Sequence, residues 1–170
     1  MRFLKNTVIM SVLFFQSPFL YSNSNSGNDL NGTWACTNYS IYEDYNVLEI
    51  YNITFSDKKS YQNGALHFTN SDDEAVLKYQ SGSNFVVQDE WLEFKNYNIL
   101  SYTIDNPVFD HRYKISETFN SISPNEPERY KIDLMTHDQL IYRLEVRDFD
   151  QLAVTSNCVR VNSPSELPEF

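Results

Sequence analysis

Along most of the chain the apolar residues recur at every second position, the repeat of a strand with one wet face rather than the 3.6-residue repeat of a helix. The pattern is clearest late in the chain. Tyr130, Ile132 and Leu134 alternate with Lys131 and Asp133, and Leu140, Tyr142, Leu144 and Val146 alternate with Arg143, Glu145 and Arg147. Tyr113 and Ile115 stand in the same relation to Arg112 and Lys114. Segments at 45–55, 60–69, 74–80, 84–88, 91–95 and 99–104 fit the same scheme, separated by turn-forming clusters: SDKK at 56–59, NSDD at 70–73, SGSN at 81–84, QDE at 88–90 and DNP at 105–107. Within 60–69, Tyr61 and the pair Leu66 and Phe68 have opposite parity, which predicts a bulge at Asn63 and Gly64. The stretch NSISPNEPER at 120–129 reads as the longest loop. No segment of more than a few residues carries helical periodicity with caps. The prediction is an all-β fold, an antiparallel up-and-down meander of about eight to ten strands.

Composition supports this, with 12 tyrosines and 12 phenylalanines against 4 glycines. The first residues depart from the pattern. Arg2 and Lys5 precede an apolar run of about 13 residues from Val8 to Leu20, the form of a secretory signal peptide and short of the roughly 20 residues a helix needs to cross a bilayer. The expected organisation is a signal peptide at 1–22, a polar linker at 23–30, one barrel domain at 31–162 and a frayed tail at 163–170. The mature protein is then secreted or periplasmic, with no membrane span. Loss of Arg2 and Lys5 takes the basic count from 13 to 11 against 23 acids, a formal charge of −12. That balance excludes nucleic acid as a ligand, because a phosphate backbone needs clustered lysine and arginine, and it suits a basic protein partner. Three N-x-S/T sequons occur, at Asn31, Asn38 and Asn52.

Cys36 and Cys158 are the two cysteines, an even count that in an exported chain suggests one disulfide closing a loop of about 120 residues. In the first strand Gly32, Trp34 and Cys36 share a face, and in the last strand Leu152, Val154, Cys158 and Arg160 do. If these strands pair antiparallel, one register sets Cys36 against Cys158 and also Trp34 against Arg160. The first and last strands would then be stapled together, with the guanidinium stacked on the indole, and the sheet would close into a barrel. A sandwich whose two cysteines join distant strands is the alternative.

The G-x-W of NGTW, the arginine on the last strand and the meander between them resemble the lipocalin-like, or calycin, barrels. The stretches ITFSDKKSYQNGALHF at 53–68 and YQSGSNFVVQDEWLEF at 79–94 resemble their short bacterial secreted forms. The resemblance implies that Trp34 and Arg160 close one end of the barrel over Gly32, and that a small apolar or amphipathic ligand occupies its mouth. The chain lacks a recognisable helix before its last strand, which the larger lipocalins have.

For chemistry, the sequence offers little. His67 lies on the face opposite Leu66 and Phe68, and His111 and His137 fall in expected turns, so no metal-ligand spacing appears and no cofactor is implied. There is no G-x-S-x-G, both cysteines are assigned, and the acid pairs Asp72–Asp73 and Asp89–Glu90 sit at turns, so no catalytic residue is nominated and the protein is read as non-enzymatic. Tyrosine is the informative excess. Tyr51, Tyr79, Tyr102, Tyr113, Tyr130 and Tyr142 take inward positions by parity, where they would line a ligand pocket or simply fill a small barrel. A different class of function remains beside ligand carriage: a protein-binding module like the periplasmic lysozyme inhibitors, whose serine-glycine loop SGSNF at 81–85 faintly resembles.

Overall fold

Strand follows strand in the order of the sequence: β1 (Gly32–Ile41), β2 (Asn46–Ser56), β3 (Lys59–Thr69), β4 (Glu74–Gln88) and β5 (Trp91–Ile104). Two short helices intervene, α1 (Pro107–Tyr113) and α2 (Ile115–Asn120), before β6 (Glu128–Met135), β7 (Gln139–Leu144) and β8 (Thr155–Val161). Each strand pairs antiparallel with the next and β8 pairs with β1, so the sheet is a closed eight-stranded barrel. The computed structural model describes residues 30–122, 126–144 and 154–162. The expected leader, the linker before residue 30, the C-terminal tail and the strand positions Val146 and Leu152 lie outside the described residues.

The seam follows the register expected from parity. Cys36 faces Cys158 and Trp34 faces Arg160 in the β1–β8 ladder. The two cysteines form a disulfide across Cα atoms 4.1 Å apart, which excludes the sandwich alternative because they lie on neighbouring strands. Arg160 stacks its guanidinium 4.1 Å from the centroid of the Trp34 ring. The same guanidinium donates from Nη1 to the Asn31 carbonyl at 2.6 Å and from Nε to the His137 carbonyl, tying β8 to the chain entering β1 and to the β6–β7 turn. Gly32 makes room for this arrangement. Its φ is +118°, and a Cβ there would lie 2.8 Å from Arg160 Nη1. Trp34 Nε1 donates to the carbonyl of Leu30 at 2.9 Å, and Leu30, though placed by the sequence in the polar linker, is fully buried beneath the indole.

Several elements differ from expectation. The strand count is eight because 74–80 and 84–88 are one strand, as are 91–95 and 99–104. SGSN at 81–84 is not a turn: Ser81 is buried in the barrel wall and the ladder runs through Gly82. The irregularity is absorbed by β5, where two register shifts leave extra residues at Asn96, with φ +54°, and around the exposed Leu100. The bulge expected at Asn63 and Gly64 is absent. Register is constant along the whole β2–β3 and β3–β4 ladders, and the parity conflict disappears because Tyr61 faces solvent, 53% exposed. Gly64 instead serves a close approach, since a Cβ there would meet the Tyr51 Cβ at 2.5 Å. A real bulge lies in β6, where the shift between Ile132 and Leu134 turns Leu134 outward and packs Met135 against the core.

The segment 107–120 is helical, contrary to the strand read through Tyr113 and Ile115. Asn106 caps α1 by accepting from the amides of Val108 at 3.1 Å and Phe109 at 3.0 Å, and Pro107 follows at the first helical position. Lys114, with φ +54°, ends α1 and starts α2, so Tyr113 and Ile115 belong to different helices. His111 is therefore helical rather than in a turn, and the expected 120–129 loop is shorter, since Asn120 ends α2 and Glu128 opens β6. The helices close the end of the barrel opposite Trp34. Phe109 packs on Tyr45, Phe68 and Tyr113, while Asn106 Nδ2 donates to Asp73 Oδ1 and Asn70 Nδ2 to the Tyr113 hydroxyl. No helix among the described residues is long and apolar enough to cross a membrane.

Two outcomes test this account. Reducing the disulfide is expected to lower the unfolding free energy by about 2–5 kcal/mol by freeing a long loop in the unfolded chain, with the barrel still assembled through the β1–β8 ladder. Urea unfolding with and without reductant, followed by circular dichroism, measures both. Gly64→Ala should cost about 1–3 kcal/mol as an overpacked core position, whereas a bulge site at the surface would tolerate it.

Candidate functional site

Inside the barrel lies a cavity of about 240 Å³. It begins above the buried floor of Trp34, Phe55, Leu92 and Leu140 and runs toward the half-covered end marked by Tyr42, Phe119 and Ile122. It exists because the wall is unevenly paired. β5 pairs with β6 only from Trp91 to Phe94, and farther along β5 the Tyr102 ring meets Phe119 of α2, which also packs on Tyr79, while Asn120 Nδ2 donates to the Tyr102 hydroxyl at 2.7 Å. A helix laid over a gap in a sheet leaves more space than a strand filling it.

The lining is polar for an interior. It comprises two carboxyls, eight hydroxyls and two carboxamides against eight apolar side chains, and no lysine, arginine or histidine among the described residues. The carboxyls are Glu49 on β2 and Glu128 on β6. Glu49 accepts from Asn38 Nδ2 through one oxygen and from the Tyr79 hydroxyl through the other. Glu128 accepts from the Tyr130 hydroxyl at 2.8 Å. A second cluster joins three strands: the Tyr51 and Tyr142 hydroxyls lie 2.6 Å apart, and Tyr51 donates to Ser156 Oγ at 2.8 Å.

Burial dominates the electrostatics. It raises the Glu49 carboxyl above its ordinary value, opposed by the hydrogen bonds from Tyr79 and Asn38 and reinforced by repulsion from Glu128. It also pushes the hydroxyls of Tyr51, Tyr79 and Tyr130 well above the usual phenol range, raises that of Tyr142, and lifts that of Tyr97 to about 12. All five tyrosines are therefore neutral donors at any physiological pH. The interior can solvate a charge or a dipole while its own aromatic bodies supply apolar contact.

Of the tyrosines named from the sequence, Tyr51, Tyr130 and Tyr142 line the cavity, and Tyr79 stands behind Glu49 as its donor. Tyr102 is half-buried under Phe119 and does not reach the lining. Tyr113 sits on α1 in the aromatic cluster with Tyr45 and Phe109, away from the cavity, because its segment is helical. Gly32, Trp34, Arg160, Cys36 and Cys158 belong to the seam and floor rather than to the lining. The residues that parity could have supplied are Glu49, between Val47 and Tyr51, and Glu128, two before Tyr130. Tyr97 could not be placed so, since it follows the Asn96 bulge.

The sequons separate by the same geometry. Asn38 faces the cavity and Asn52 is 4% exposed with its Oδ1 unbonded, which leaves Asn31 as the sequon at the surface. No protein-family model matches the chain, and no curated protein matches it in sequence.

A carboxyl held above its unfolded value binds its proton more tightly in the barrel, so it costs nothing below the ordinary value of 4.5 and a growing amount as pH rises through the folded value. Glu49→Gln is expected to gain stability relative to the wild type as pH rises from about 4.5, measured by urea unfolding at intervals to pH 8. A difference independent of pH would contradict the burial of that charge.

Proposed function

We propose that the protein is an exported, lipocalin-like barrel that carries a small molecule in its interior without transforming it. The observation that carries this reading is the cavity: a volume of about 240 Å³ inside the barrel, half-covered at one end, floored by the Trp34–Arg160 seam and lined by hydroxyls and aromatic rings. Its volume lies just below the roughly 300–1,000 Å³ of sites for drug-sized molecules, so the guest is small. The G-x-W closure under an arginine of the last strand supports the lipocalin-like reading, and a disulfide across the seam fits a secreted or periplasmic compartment. Of the apolar or amphipathic guest expected from the sequence, the polar lining favours the amphipathic. The rival reading, a lysozyme-inhibitor-like protein-binding module, keeps its support in the disulfide-bearing barrel and the acidic charge, but its serine-glycine stretch at 81–85 lies within β4 with Ser81 buried.

A ligand-observed NMR screen of small aromatic and aliphatic compounds, cationic, neutral and anionic alike, should give binders to the full disulfide-bonded chain. Leu66→Trp, which places an indole into the lining, should abolish them. A screen without binders of any charge, or binders indifferent to Leu66→Trp, would overturn carriage in the barrel.

A further inference from the structure

We propose that the cavity's ligand is a small organic cation, an amine or quaternary ammonium, held between Glu49 and Glu128 and packed against tyrosine rings. This inference rests on the carrier reading above and specifies its ligand class. Three features of the cavity point to it together.

The first is the sign of the lining. Two carboxyls line one cavity, near enough for Glu128 to disfavour ionisation of Glu49, and no cationic side chain lines it among the described residues. An anionic guest would add a third like charge in a region of low dielectric. A wholly apolar guest would displace water from both carboxyls and return no hydrogen bond, which is costly for any buried polar group and far more so for an ionised one. A cationic guest compensates both.

The second is the unused capacity of those carboxyls. An ionised carboxylate has about four lone-pair sites. Glu49 uses one on each oxygen, for Asn38 and Tyr79, and Tyr130 donates to Glu128. These donors fix the two carboxyls in position, since Asn38 is on β1, Tyr79 on β4 and Tyr130 on β6, and they leave acceptor sites for the hydrogens of an ammonium group. The fixing is provided by three different strands of a closed wall, so the site is formed before the ligand arrives.

The third is the aromatic surround. Tyr51, Tyr97, Tyr130 and Tyr142 line the same volume, with Phe94 and Phe119 adding further ring surface. An organic cation gains from ring faces as well as from carboxylates, and the gain increases when water is excluded. A bare metal ion would not use this surface. Calcium takes six to eight oxygens and magnesium an octahedral shell, whereas no three acidic, histidine or cysteine side chains converge on one point among the described residues. The chain's formal charge of −10 favours the approach of cations over anions.

The test is titration calorimetry on the full disulfide-bonded chain with two matched series: 2-phenylethylamine, 2-phenylethanol and 3-phenylpropanoate; and 1,5-diaminopentane, 1,5-pentanediol and glutarate. At least one amine is expected to bind at least tenfold more tightly than its alcohol, with its carboxylate counterpart undetectable. Glu49→Gln and Glu128→Gln should each weaken the amine at least tenfold and leave the alcohol within about twofold. Near-ultraviolet circular dichroism reports whether each variant keeps the barrel, and if one does not, the other decides. Alcohols or carboxylates binding as tightly as the amines, or amine affinity unchanged in the folded variants, would overturn the cationic ligand while leaving carriage standing. No binding by any of the six compounds would overturn the cationic ligand, and the wider screen with Leu66→Trp then decides carriage separately.

Discussion

Arg160 over Trp34 is the contact on which the rest of the barrel is arranged. Eight antiparallel strands in chain order have two free edges until β1 meets β8, and each open edge exposes a row of unpaired backbone groups. The stacked guanidinium, its bonds to the carbonyls of Asn31 and His137, and the disulfide beside it fix that meeting in one register. A slip of one residue would break all of them at once and turn every inward side chain of β8 outward. Gly32 is the concession the backbone makes: a positive φ and a missing side chain, where the arginine lies against it.

Closure divides the side chains into two populations. Once the wall is continuous, odd positions of β2 and β4 face inward along their whole length, and whatever occupies them must be satisfied there. At the sealed end these positions hold Ile53, Phe55 and Phe85, which need no partner. At the helical end they hold Val47, Ala75 and Leu77, again apolar, and between the two ends they hold Glu49, Tyr51 and Tyr79, which do need partners. The hydroxyl pair Tyr51–Tyr142, the bond to Ser156 and the Asn38–Glu49–Tyr79 group are the solution the interior finds, tying β2 to β1, β4, β7 and β8. Polar groups cross-linked in this way hold a wall in shape where packing alone leaves a void.

Strand positions and the seam were legible because period two carries through any segment that stays in the ladder, and because two residues of matching spacing on each terminal strand determine a register. What was not legible follows from the same rule. Parity fails wherever a residue is added, so the bulge at Asn96 hid Tyr97 and the shift in β6 misassigned Leu134. The helices were missed although their signals are present: Asn106 and Pro107 form a helix start, and Phe109 with Tyr113 and Ile115 with Phe119 have i, i+4 spacing. The αL residue Lys114 between them brings Tyr113 and Ile115 two apart, which imitates a strand. The carboxyls of the cavity were overlooked for a different reason. A charged residue at an inward position reads as an interruption of the pattern, and only the neighbours contributed by other strands show that it has partners.

Those partners make the interior expensive to build. Burial holds the Glu49 carboxyl above its ordinary value, so its ionised form opposes folding rather than assisting it. Stability comes instead from the apolar layers on either side of that lining: the buried indole of Trp34 with its aliphatic and aromatic floor at one end and Phe68, Leu77 and Phe109 at the other, with a disulfide that restricts the unfolded chain across 122 residues of separation. The polar groups form a band between two packed ends, at positions that packing alone would not select. A cation at Glu49 and Glu128 would remove part of that opposition, so that binding and folding would be coupled through the same two carboxyls.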